Sequence, residues 1–124
     1  IREIYDIIKA SNARLIHANP SYLKLLLYRL KREGLRLDGQ YAVHSTYETL
    51  LPSTYRLIKK YLNCAIFNQY GCSEVGPITF SCGGGNNHVF NDTIHVEIRP
   101  DDALGRSDVG RVLVTHLKNH VAVR

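Results

Sequence analysis

Tyr70, Gly71, Ser73 and Glu74 put an aromatic ring, a bare backbone position, a hydroxyl and a carboxylate within five consecutive residues. Together these groups can serve a nucleotide. The ring can stack on a base, and the glycine lets the backbone come close. The hydroxyl can bond a phosphate oxygen. The carboxylate can hold Mg²⁺, a hard cation that takes a few carboxylates together with substrate phosphate oxygens. The stretch Asn68 to Pro77 that contains them follows an apolar run, Cys64 to Phe67, which reads as a buried strand. On local composition alone, a turn with a satisfied serine and a solvated glutamate has the stronger claim, because short motifs match often by accident.

Gly71-Cys72-Ser73-Glu74-Val75 approaches the nucleophile elbow of a hydrolase, with His88 or His95 and Asp92 as partners for Ser73. The elbow needs glycine where Val75 stands, and Gly76 comes one residue late. Gly83-Gly84-Gly85 lacks the Lys-Ser/Thr that follows a Walker-type phosphate loop, so it reads as a flexible turn. Cys82 and His88 supply two zinc ligands of the four needed, without paired Cys-x-x-Cys spacing. His17 and His44 fall in strands that read as buried, which makes them satisfied core imidazoles. His88, beside Asn91 and Asp92, is the first choice among the six histidines for a functional role.

The elements that must position these residues follow from periodicity. Ile1, Ile4, Tyr5 and Ile8 recur on one face of an opening helix that Ser11-Asn12 ends. Arg14 to Ala18 is a short strand. Asn19 then caps a helix with Pro20 at its first position, and Leu23, Leu26, Leu27 and Leu30 as its buried face. Gly34 stops it. Tyr41 to Ser45 is the next strand, Thr46 to Leu51 a loop, and Pro52 opens a helix with Leu57, Ile58, Tyr61 and Leu62 inward. Cys64 to Phe67 is the third strand. Strand, helix, strand, helix, strand implies a parallel sheet with crossovers.

Ligands of open α/β sheets collect beyond the carboxyl ends of the strands. Three loops leave those ends: Asn19-Pro20-Ser21, Ser45 to Glu48, and Asn68 to Glu74. Their convergence on one edge brings the functional reading of Tyr70 to Glu74 level with the plain one. After Pro77 the pattern changes. Ile78 to Phe80 is a short extended piece. Ile94, Val96 and Ile98 alternate with polar residues, and Arg111 to Leu117 forms an antiparallel partner with Val112, Val114 and His116 on one face. Residues 1–77 thus read as a parallel α/β portion and 78–124 as a β-rich portion of one domain.

At 124 residues the chain is one domain's worth. Its net charge is +5, and its densest basic cluster, Arg29, Lys31, Arg32 and Arg36, reads as the solvated face and end of a helix. No basic residues interleave with exposed aromatics, which argues against a nucleic-acid partner. Three irregularly spaced cysteines argue against a disulfide framework and for a reducing, cytoplasmic compartment. No apolar run is long enough to span a membrane and no signal peptide is visible. With no methionine at all and no cap at Val121 to Arg124, the sequence reads as an excerpt of a longer chain.

Taken together, these segments resemble the adenylate-forming enzymes, in particular the phenylacetate–CoA ligase-like branch with its relatives from capsule-biosynthesis clusters. The resemblance spans most of the chain. Tyr70 to Glu74 looks like the family's aromatic-Gly-x-Ser/Thr-Glu core motif, and His44 to Pro52 like the loop that lies along the adenine. Cys82, His88 to Asp92 and Val96 to Ile98 match the branch's pattern after the core motif. Gly110 to Thr115 looks like its later Gly-x-Leu/Val-Val-Thr strand. The fold implied is α/β, a parallel βαβαβ unit followed by an antiparallel β segment, part of the large N-terminal domain of such an enzyme.

The resemblance implies roles as well. Tyr70 would stack on adenine, Ser73 would bond the α-phosphate, and Glu74 would help hold Mg²⁺. Ser45, Thr46, Tyr47 and Glu48 would line the adenine pocket, with Asn68 and Gly71 completing the nucleotide-binding set. The implied reaction joins a small carboxylic acid to ATP as an acyl-adenylate, releasing pyrophosphate, and passes the acyl group to a thiol of CoA or a carrier protein. Catalysis of this kind is mostly positioning and electrostatic stabilisation. The sequence departs from the family at Thr46-Tyr47, where many relatives carry small glycines. The upstream phosphate loop, a ribose-binding aspartate expected just past Arg124, and a C-terminal domain with a catalytic lysine are not in it. The 124 residues alone are therefore expected to be inactive. The rival readings are a non-catalytic nucleotide-binding relative and an α/β hydrolase using Ser73.

Overall fold

The computed structural model describes residues 1–82, 85–101, 103, 105 and 109–118. In chain order the elements are α1 (Arg2–Ala10), β1 (Leu15–Ala18), α2 (Pro20–Arg32), β2 (Gln40–Ser45), α3 (Pro52–Tyr61), β3 (Asn63–Cys72), β4 (Gly76–Ser81), β5 (Asn87–Val89), β6 (Ile94–Pro100) and β7 (Gly110–His116). The fold is mixed α/β. One five-stranded sheet runs β1-β2-β3-β4-β5, and β6 with β7 makes a separate two-stranded sheet. β1, β2 and β3 are parallel, while β4 and β5 join antiparallel.

The helices form where the sequence marks them. Asn19 accepts a bond from the Tyr22 backbone N–H at 3.1 Å and so caps α2, with Pro20 behind it. At the far end Leu35 N–H reaches Leu30 O and Gly34 N–H reaches Lys31 O. This is the paired closure that a left-handed residue permits, and Gly34 has φ +67°. Leu23, Leu27 and Leu30 of α2 and Ile58 of α3 close over Tyr41 and Val43 of β2 and Cys64 of β3. Burying each such aliphatic side chain contributes about 1.5–3 kcal/mol. From α1, Ile1, Tyr5 and Ile8 pack against this core, but Ile4 remains half exposed, contrary to the pattern reading.

All three helices pack on one face of the parallel strands, the face that carries Ile16, Val43 and Ile66. His17 and His44 alternate onto the other face. His17 is exposed and His44 half-buried, so the expectation of two core imidazoles is corrected. Alternation along a strand places the two faces in different surroundings, and among the described residues no helix packs on the second one.

The third strand is also longer than its apolar run. It continues through Asn68, Gln69, Tyr70, Gly71 and Cys72, which the sequence reading assigned to a loop. Beyond Asn68, the last residue paired with β2, the ladder passes to β4: Gln69 faces Phe80 and Tyr70 faces Thr79. The register then shifts, and Gly71 faces Pro77 while Cys72 faces Gly76. Only Ser73, Glu74 and Val75 remain as the turn. The 77/78 division therefore falls inside β4, and the passage from parallel to antiparallel pairing occurs within one sheet. The separate sheet begins at Ile94, which is buried and pairs with His116.

Candidate functional site

The carboxyl edge of the parallel strands gathers three segments. Asn19 to Ser21 follows β1, Thr46 to Glu48 follows β2, and the β3–β4 arm rises beyond Asn68. The first two are tied together: Ser21 donates to Glu48 Oε2 from its backbone N–H at 3.2 Å and from its hydroxyl at 2.5 Å. Glu48 is thus anchored to the start of α2, a tie that its place in a hydroxyl-rich loop did not reveal. Tyr47 has φ +70°, a backbone region where L side chains are uncommon and glycine is at ease. Its ring is 81% exposed and meets His17 edge-on at 5.9 Å. The bulky side chain stands out into solvent instead of filling the edge.

Ser45 and Asn68 are partners on the last shared rung of β2 and β3. Ser45 is 1% exposed, and its Oγ has no hydrogen-bond partner; neither has Asn68 Oδ1. A buried polar atom left unpaired costs about 1–3 kcal/mol. Both orphans are also sealed from solvent, so a ligand reaches them only if a side chain turns outward. The other side of the Asn68 position is satisfied, because its backbone N–H donates to Ser81 Oγ at 2.6 Å. Asn68 lines a cleft of 240 Å³ with Ile66, Leu50, Tyr55 and Ser81. Ile66, Asn68 and Tyr70 share one face of β3 by alternation, so the Tyr70 ring, half exposed, stands one repeat above the cleft. That repeat is about 7 Å along the strand.

Ser73 and Glu74 lie at the tip of the arm, both exposed. At the rise of an extended strand they are on the order of 15 Å beyond the Ser45–Asn68 rung. The Glu74 carboxyl is held below the usual carboxylate range, first by its own backbone N–H and then by the Cys72 side chain. It remains ionised through the neutral range and is available to a cation. Among the described residues no group of three or more His, Cys, Asp or Glu side chains is placed to hold a metal. One ionised carboxylate is nevertheless a sufficient protein contribution for Mg²⁺, which usually keeps its waters and takes further oxygens from substrate phosphates.

The hydrolase partners are not brought to Ser73. His88 sits opposite Phe80 in β5, at the end of β4 away from the turn, and His95 faces Thr115 in the other sheet. Two roomier clefts, of 340 and 620 Å³, lie at the opposite, amino edge of the sheet. They are lined by Leu35, Leu37, Lys60 and Leu62, and by Asp38, Gln40, Lys59 and Asn63. Volume therefore does not single out the carboxyl edge. Its orphaned polar atoms and its ring do.

No protein-family model matches the chain, and no curated protein matches it. No described helix is long and apolar enough to cross a membrane.

Proposed function

We propose that this chain is the nucleotide-binding part of an AMP-forming, carboxylate-activating ligase. The observation that carries the reading is the alignment on one face of β3: an unpaired Asn68 oxygen in a cleft, then the Tyr70 ring, with Ser73 and Glu74 at the arm's tip. Asn68 Oδ1, with the side chain turned into the cleft, accepts from the exocyclic amine of adenine, and Ser45 lies beside it on the same rung. Tyr70 stacks on the base, and the backbone of Thr46, Tyr47 and Glu48 borders it. Gly71 keeps the arm slim where the nucleotide lies along it. Ser73 Oγ donates to a phosphate oxygen. Glu74 holds Mg²⁺, which supplies charge neutralisation on the phosphates when bound. The partners are then a small carboxylic acid and a thiol, of CoA or a carrier protein, and the compartment is the reducing cytoplasm, where Cys64 and Cys72 stay free thiols.

Stacking on an aromatic ring contributes about 1–3 kcal/mol per base. Calorimetry of Mg-ATP binding to the protein tests the assignment. Tyr70→Ala and Asn68→Ala each weaken binding by roughly tenfold or more. Equal affinity in wild type and both variants would remove the base from this face of β3.

A further inference from the structure

His17 and His44 occupy the same rung of neighbouring parallel strands, on the sheet face turned away from the helices. Their Nδ1 atoms are 2.9 Å apart. His44 Nε2 lies 3.0 Å from Gln69 Oε1. The His44 ring is further held by Phe80, 5.3 Å between centroids. An amide oxygen only accepts, so His44 carries its proton on Nε2 and donates it to Gln69. Its Nδ1 is then a bare lone pair. His17 must supply the proton between the two rings, from its own Nδ1–H.

We propose that His17 and His44 form a two-nitrogen site for a tetragonal divalent transition metal, copper(II) or nickel(II), with water in the remaining positions. Imidazole nitrogen suits these ions, and square-planar or tetragonal coordination is their signature. Two nitrogens at 2.9 Å, each about 2.0 Å from a metal, subtend an angle of about 90°. That is the angle between neighbouring ligands in a tetragonal ion. A tetrahedral zinc ion would need the nitrogens roughly 3.3 Å apart. The supporting contact is also in place: a metal-bound histidine characteristically gives its other N–H to a carbonyl or carboxylate, which fixes the ring and its tautomer. Gln69 does this for His44. The metal displaces the proton shared by the two Nδ1 atoms and sits to one side of the line joining them. That proton passes through water to Nε2 of His17, so both imidazoles stay neutral and no net proton is released. His17 is exposed, which opens the position to solvent ions.

The site meets the nucleotide reading only at Tyr47, whose ring touches His17. It uses the open face of the sheet, whereas Asn68 and Tyr70 project from the helix-covered one. Sequence patterning hid it, because the two histidines are far apart in the chain and meet only through the parallel register.

Copper(II) titration of the protein at neutral pH, read by electron paramagnetic resonance, decides the matter. The expected result is one ion per chain with two equatorial imidazole nitrogens. Its affinity falls at least tenfold in both His17→Gln and His44→Gln and is unchanged in His88→Gln. Circular dichroism checks that each variant is folded. His17→Gln alters an exposed side chain, so it remains decisive even where His44→Gln unfolds. Undiminished affinity in His17→Gln, or a spectrum with a single coordinated nitrogen, overturns the proposal.

Discussion

Gly71 has no room for a side chain. A Cβ there would strike the carbonyl oxygen of Gly76 and come within 3.0 Å of Pro77 Cα, both backbone atoms of the antiparallel neighbour. The glycine in the Tyr-Gly-x-Ser-Glu stretch is thus demanded by the hairpin itself, at the register shift, whether or not a phosphate approaches. Gly71→Ala is expected to destabilise the protein by about 1–3 kcal/mol, the usual cost of forced overpacking. A lowered urea midpoint with an unchanged slope would show it, and an unchanged midpoint would refute it. Tyr47 is the converse case. Its left-handed backbone costs about 1 kcal/mol for an L side chain, and its exposed ring gives little back. Tyr47→Gly should raise stability by about 0.5–1 kcal/mol in the same measurement. A substantial loss would mean that the ring's contact with His17 outweighs the strain. Residue types at these positions were legible in the sequence. The reasons for them were not, because a strained φ and a facing backbone belong to the folded chain.

At the scale of elements, local signals were read well wherever they were chemical. Asn19-Pro20 began α2 and Gly34 closed it, because capping groups act on their immediate neighbours. The length of β3 was not legible, because its second half owes its conformation to β4. Asn68, Gln69 and Tyr70 look like loop residues until a partner strand takes their backbone groups. The first half of β3 also bears a testable titration. Burial pushes the Cys64 thiol up from its ordinary value, and Lys59 opposes this more weakly. Below the ordinary thiol range both folded and unfolded chains carry the neutral thiol, and it contributes nothing to pH dependence. As pH rises through that range the unfolded chain ionises first, so stability falls. Denaturation midpoints between about pH 8 and pH 10 should therefore decline more steeply in wild type than in Cys64→Ala. Parallel declines would contradict this account of Cys64.

For the whole molecule, the order of strands and helices predicted a parallel unit and a later antiparallel pair, and β1-β2-β3 and the separate β6-β7 sheet have that form. The sequence did not show that β4 and β5 extend the parallel sheet antiparallel, or that all three helices share one face. Crossover side and strand register are global properties, set by packing and not by any single segment. Those global properties produce the two features of consequence: an edge where Ser45 pairs with Asn68 and Glu48 with Ser21, and an open face where His17 meets His44. The proposed ligase chemistry stands on the edge. Its most direct test is carboxylate-dependent exchange of pyrophosphate into ATP, using the full-length protein, a panel of aryl and aliphatic acids, and Glu74→Gln beside wild type. Exchange with one class of acid, lost in Glu74→Gln while the fold and the Tyr70-dependent binding of ATP persist, is the predicted result. Exchange that survives Glu74→Gln at the wild-type rate, or no exchange with any acid by a folded, ATP-binding protein, would contradict it.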